Sequence, residues 1–181
     1  MSQADASVEL SAHKLADGLA TAVGQMRFVR EGTTTPMLEG LTDEDWLAMP
    51  AGPTNIAWQV AHIAVAQYGL CLFRIRGRAE ADTELMPGPF RKMYGRGSVP
   101  SSDPAANAPI AVIRRTFDAV YEQAMKELPA TDPATLAEPM DRPYAVYPNR
   151  LGCLLMAPVH EAIHAGQLGL IRRALGRDPL R

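Results

Sequence analysis

The sequence predicts an all-α fold, a four-helix bundle with long crossover loops, and three observations carry that prediction. Four stretches place apolar residues every three or four positions, the spacing that gathers them on one face of a helix. No segment alternates apolar and polar residues for long enough to indicate a strand. The chain has 181 residues, enough for one full hydrophobic core and too few for two comfortable ones, so a single domain over 1–181 is expected.

The first helix is expected from about Ser7 to Arg30, where Leu15, Leu19, Ala22 and Met26 form a stripe, and EGTTTPMLEGLTDEDW ends it. The second follows Pro53 and Thr54, read as its cap, and runs to about Arg76, where Gly77 stops it. The third spans about Asp103 to Leu128, with SSDP marking its start and Ile110, Ile113, Phe117, Val120, Tyr121 and Ala124 recurring at helical spacing. The last runs from about Arg150 to Leu175 and ends at Gly176, with Arg172 and Arg173 in the final turn, where cations suit the helix dipole. Pro158 lies within it, so the helix either starts afresh there or kinks one turn earlier. The connection over 77–103, rich in Gly, Pro and charge, reads as a lid or a mobile link.

Composition narrows the partners. The formal net charge is −2 and no stretch concentrates Lys or Arg, which argues against nucleic acid as a partner; a small-molecule substrate is expected instead. Two cysteines, Cys71 and Cys153, stand far apart outside any C-x-x-C spacing, so neither a disulfide framework nor a thiolate zinc site is indicated. A reducing, cytoplasmic setting is expected, and MSQADASVELSAHK has no secretory character. The segment from Asn55 to Phe73 carries no charged residue and is nearly long enough to cross a bilayer. Gln59, His62 and Gln67, spread around such a helix, would be costly in lipid, so it reads as the most buried helix of the bundle and no membrane is expected.

The chemistry concentrates in APVHEAIHAGQLGL, where His160, Glu161 and His164 spell H-E-x-x-H. Side chains four apart on a helix lie one turn above each other, so both imidazoles can reach one metal ion. A third ligand must come from elsewhere, and only four histidines exist. His13 shares its face with Glu9 and Asp17 and reads as a surface residue. His62 sits mid-helix one turn from Trp58, and a buried imidazole left unpaired would cost about 1–3 kcal/mol. A backbone carbonyl, a glutamine or a metal could satisfy it. The i, i+4 pair on another apolar helix favours the metal, so His62, His160 and His164 are expected to form one divalent metal site.

Two rival metal sites fit less well. A zincin protease needs a further ligand downstream, but Gln167 and Leu170 occupy the metzincin positions and no strand is available to hold a peptide. A ferritin-like di-iron centre needs two Glu-x-x-His motifs, and Gln59 stands where the second glutamate would be. Gln167 falls within about 20° of the His160 direction and could orient substrate or be a satisfied core amide. Glu161 points away from the pair and could serve a bound water as a base or form a salt bridge on the helix flank. Cys153, Trp58 and Tyr68 read as core. Arg91, Lys92, Tyr94 and Arg96 either cover the cavity to meet an acidic group or are solvated.

NIAWQVAHIA in the second helix followed by HEAIHAGQL in the last resembles the DinB-like family of metal-binding four-helix bundles, and the likeness runs from LTDEDW to RRALGR. The resemblance implies that His62, His160 and His164 are the metal ligands and that Gln167 matches the family's glutamine after the second histidine of the last helix. Pro158 departs from the pattern. The family includes thiol-dependent transferases and isomerases working with mycothiol or bacillithiol. The expected function is therefore a metal-dependent transferase or hydrolase whose three-histidine site, holding zinc, nickel or iron, activates a low-molecular-weight thiol or water. The alternative is a bundle that binds a metal or small ligand without turnover. Bundles of this kind pair often enough that a homodimer is expected.

Overall fold

In the computed structural model, which describes residues 10–141 and 147–178, the periodic stretches become four long helices. Helix α1 spans Ala12–Val29 and is capped by Ser11, whose side chain accepts from the Lys14 amide. The expected start at Ser7 lies outside the described residues. The helix does not stop at Arg30: a π turn, Arg30–Thr34, carries it one turn further.

Helix α2 spans Ile56–Arg76, with a π turn at Tyr68–Phe73. Its cap is Asn55 rather than Thr54. The Asn55 side-chain oxygen accepts from the Trp58 amide at 2.8 Å, and its side-chain amide donates to the carbonyls of Leu47 and Ser101. One residue thus starts the helix and ties it to segments before and after. Although α2 is long and apolar enough to cross a bilayer, 67% of its apolar window is buried within the bundle.

Helix α3 spans Ile110–Glu127 and starts later than SSDP suggested. Asp103 caps only a single 3₁₀ turn, Pro104–Ala106, and the α-helix proper begins after Pro109, whose missing N–H costs nothing at a helix entrance. Helix α4 spans Arg150–Ala174 without restarting at Pro158. Proline supplies no N–H to the carbonyl four residues back, yet Leu154, Ala157 and Pro158 are all buried, and packing on both sides holds the helix together. The helix ends at Gly176 with φ 71°, where the amides of Gly176 and Arg177 return to the carbonyls of Arg173 and Arg172. This closure needs the left-handed backbone that glycine adopts without steric cost.

Side-chain partners fix the helix directions. Arg30 reaches Gln67 while Met26 meets Cys71, so α1 and α2 are antiparallel. Arg30 also reaches the Phe117 carbonyl, level with Gln67, and Arg76 pairs with Glu127 further on, so α2 and α3 run parallel. His62 meets His160 and His164 while Arg150 donates to the Ile75 carbonyl, so α2 and α4 are antiparallel. The order is up, down, down, up, and the α2–α3 connection is the crossover that parallel neighbours require. Among the described residues there is no strand, only an isolated bridge between Pro139 and Asn149.

The crossover is anchored rather than loose. It contains short helices at Asp82–Leu85 and Gly88–Tyr94, and it buries Met86, Phe90 and Tyr94 against the core. Asp82, 3% exposed, accepts from both terminal nitrogens of Arg76 at 2.8 Å and from the Ala79 amide, which ties the crossover to the end of α2. The Tyr94 hydroxyl accepts from the Ala108 amide at 2.8 Å, which closes the far end of the crossover onto the start of α3. Each large apolar side chain removed from water this way contributes about 1.5–3 kcal/mol.

Candidate metal centre

His62 projects from the middle of α2, and His160 and His164 project from successive turns of α4. One ring nitrogen from each lies within 4.8 Å of the others, close enough together to hold a metal ion. The ring centroids are 5.3 Å apart for His62 and His160, 4.9 Å for His62 and His164, and 4.5 Å for the α4 pair.

Two of the three rings are held from behind. His62 Nδ1 lies 2.7 Å from the Tyr94 carbonyl oxygen, and His164 Nδ1 lies in a short contact with the side-chain oxygen of Gln59. Both partners only accept, so each Nδ1 carries the proton and each Nε2 keeps its lone pair for a ligand. Gln59 is itself fixed, its amide donating to the Thr54 hydroxyl at 2.7 Å. Trp58 stacks on the His62 ring, centroids 4.6 Å apart and planes within 8°, and its indole N–H donates to Ser98 at 3.0 Å.

Burial keeps the imidazoles uncharged. It pushes His164 down to about 3, helped by the neighbouring His160 and His62 and opposed by a hydrogen bond with Gln167. Burial and the charge of His62 bring His160 to about 4. His62 is also lowered by burial, against a smaller upward pull from the Tyr94 carbonyl. At neutral pH the cluster presents three neutral nitrogen donors, a set suited to zinc, nickel, iron or copper.

The remaining residues singled out in the sequence fall as follows. His13 is exposed, 3.3 Å from Asp17, as its face suggested. Cys153 is buried core, Tyr68 is buried with its hydroxyl donating to Asp82, and Trp58 is half-buried against His62. Arg91, Lys92 and Arg96 are exposed, whereas Tyr94 is buried and joins the site through its backbone. Gln167 is exposed on α4 beside His164.

Glu161 forms a salt bridge, but in the centre of the bundle rather than on a flank. It is 2% exposed and accepts from Arg30 Nε at 2.7 Å and Nη2 at 3.3 Å. Arg30, also 2% exposed, donates further to the Phe117 carbonyl and to Gln67, and its guanidinium lies 3.5 Å from the centroid of the Phe117 ring. All four helices meet at this guanidinium. A sequence signal existed: position 30 continues the stripe of Leu15, Leu19, Ala22 and Met26. Gln59 also had one, lying one turn before His62 in an uncharged helix, while the Tyr94 carbonyl had none.

Fold and cluster together define a class: an all-helical bundle in which two antiparallel helices bring three neutral imidazoles to a point able to hold a metal ion. Residues 25–168 match the profile of the DinB superfamily, a span that includes Arg30 and all three histidines, and the chain belongs to that family. No curated protein and no solved structure matches the chain.

Proposed function

We propose that the protein is a metal-dependent enzyme in which His62, His160 and His164 hold a divalent transition metal, zinc, nickel or iron, that activates a low-molecular-weight thiol or water. The observation that carries this reading is that His62 and His164, whose Nδ1 atoms are tied to Tyr94 and Gln59, each bring a ring nitrogen within 4.8 Å of one another and of one from His160. Three protein ligands leave a coordination position open, the arrangement of catalytic rather than closed structural sites. Bound there, the metal supplies Lewis acidity that brings a thiol or water to its deprotonated, nucleophilic form near neutral pH.

The chain's own groups then have distinct duties. Tyr94 and Gln59 hold two imidazoles in the ligating tautomer and orientation. Gln167, exposed and adjacent to His164, is placed to hydrogen-bond an incoming substrate. Glu161 has its carboxylate committed to Arg30, which suits a positioning role through the helix that carries His160 rather than proton transfer. Two free, buried cysteines suit the reducing, cytoplasmic setting in which a thiol cosubstrate is abundant, and a homodimer is the expected assembly.

A second reading, a bundle that binds metal without turnover, draws on the same commitment of Glu161, which leaves the cluster without that carboxylate as a base. Metal analysis of the purified wild type beside His62→Ala and His160→Ala tests the site. About one transition metal per chain, lost in both variants, is expected; a wild type that takes up none after reconstitution overturns the proposal. Thiol consumption with a panel of electrophiles, present in metal-loaded wild type and absent from Gln167→Ala with its metal retained, separates the enzyme from the binding bundle.

A further inference from the structure

We infer that the cleft beside the histidine cluster, between Trp58 of α2, Leu170 of α4 and Ser98 of the crossover, binds an uncharged, largely apolar small molecule. The inference rests on the function proposed above and names the class of substrate that site would take. The cleft measures about 420 Å³, within the size range of small-molecule sites.

Its walls touch the cluster directly. Trp58 faces the cleft and stacks on His62, Gln59 lines it and holds His164, and Gln167, one turn beyond His164 on the same helix, lines it as well. An occupant therefore lies one side chain from two of the imidazoles.

The lining decides the chemistry. Pro53, Trp58, Pro100, Leu170 and Ile171 make it apolar, and among the described residues no charged one lines it. Three other clefts of comparable size are each edged with charge: Arg76, Glu127 and Arg150 in one, Asp82 and Arg115 in another, Asp43 and Glu44 in the third. An ionised ligand beside Trp58 would lose hydration without meeting a counter-charge, a cost that an uncharged ligand avoids. The polar groups present are of the kind that orient a neutral amide, ester or carbonyl. The Thr54 hydroxyl accepts from Gln59 and retains its own hydrogen to donate, and Gln167 offers an amide at the rim. Leu170, on the same rim, is 50% exposed, an apolar surface that a ligand would cover.

The chain has two tryptophans, and Trp46 is fully buried away from this cleft, so the two indole N–H signals in a ¹H–¹⁵N spectrum report independently. The full chain, metal-free and metal-loaded, is titrated with phenylacetamide and with its isosteric anion phenylacetate. Phenylacetamide is expected to move the Trp58 signal saturably with a Kd of roughly millimolar order, leaving Trp46 unmoved, and phenylacetate to bind at least about tenfold more weakly. Leu170→Glu, at an exposed position, should abolish the phenylacetamide shift while metal content stays at the wild-type level. No saturable Trp58 shift, or equal binding of the anion, overturns the inference. Phenylacetamide binding in a protein that takes up no metal would uphold the cleft and overturn the proposed function, so the two failures are distinguishable.

Discussion

Arg30 and Glu161, 131 positions apart in the chain, meet as an ion pair in the middle of the bundle with each side chain 3% exposed. The guanidinium finds further partners, since Arg30 also donates to Phe117 and Gln67 and lies over the Phe117 ring. The desolvation of both charges is offset only while the pair and these bonds are complete.

Removing one partner strands the other. Arg30→Met or Glu161→Met alone is expected to cost about 3–5 kcal/mol, whereas the double variant should cost clearly less than the sum, because two apolar side chains can replace a buried pair. Urea denaturation of the four proteins checks this, and additive losses would show that the pair is not energetically coupled.

Gln59 supports the site without ligating. Gln59→Leu removes the acceptor from His164 Nδ1 and should weaken metal binding by about 10–100-fold, with helix content by circular dichroism unchanged. Competition against a chelator of known affinity reads the change. An unaltered affinity would mean that packing alone orients His164.

Acid should destabilise the metal-free protein in a defined window. His160 at about 4 and His164 at about 3 sit below their ordinary 6.5, so between these limits the unfolded chain binds protons that the folded one refuses. Stability is then full above pH 6.5, falls as pH drops through that range, and levels off below the folded values. Asp82, held down to about 2 first by its hydrogen bonds to Arg76, adds a loss that begins only below its ordinary 3.8. Denaturation midpoints from pH 8 to 3 check the shape, and a His160→Gln, His164→Gln double variant should flatten the upper part of the curve.

Two glycines of α4 should respond in opposite directions. A Cβ on Gly152 would stand 2.1 Å from the Tyr147 carbonyl oxygen, so Gly152→Ala must displace backbone where the helix begins. A loss of at least about 1–3 kcal/mol is expected. Gly166 has open space around its Cβ position, and Gly166→Ala should gain about 0.5–1 kcal/mol through helix propensity. Thermal melts of both variants settle the comparison.

The helices and the clustering of the three histidines were legible in the sequence because their signals are local or ordered along the chain. The stripe of Leu15, Leu19, Ala22 and Met26 is buried as its spacing requires, and His160 and His164 stand on one face because a helix turns once in about 3.6 residues. His62 followed from the lack of charge around it in α2. Helix boundaries were less legible: Asp103 and Thr54 are good capping residues, and the structure uses Pro109 and Asn55 instead, since the crossover must reach Ser101 and Asn55 is the residue that binds it.

Glu161 reads locally as a flank charge and Arg30 as the end of its helix; that they complete one another follows only from the parallel run of α1 and α4. The Tyr94 carbonyl is the limiting case. Every residue except proline offers the same backbone groups, so no side-chain pattern marks the one that will face His62. Periodicity determines which side chains share a face, whereas the partner a buried polar atom meets depends on how distant segments pack, and that was decided only in the tertiary structure.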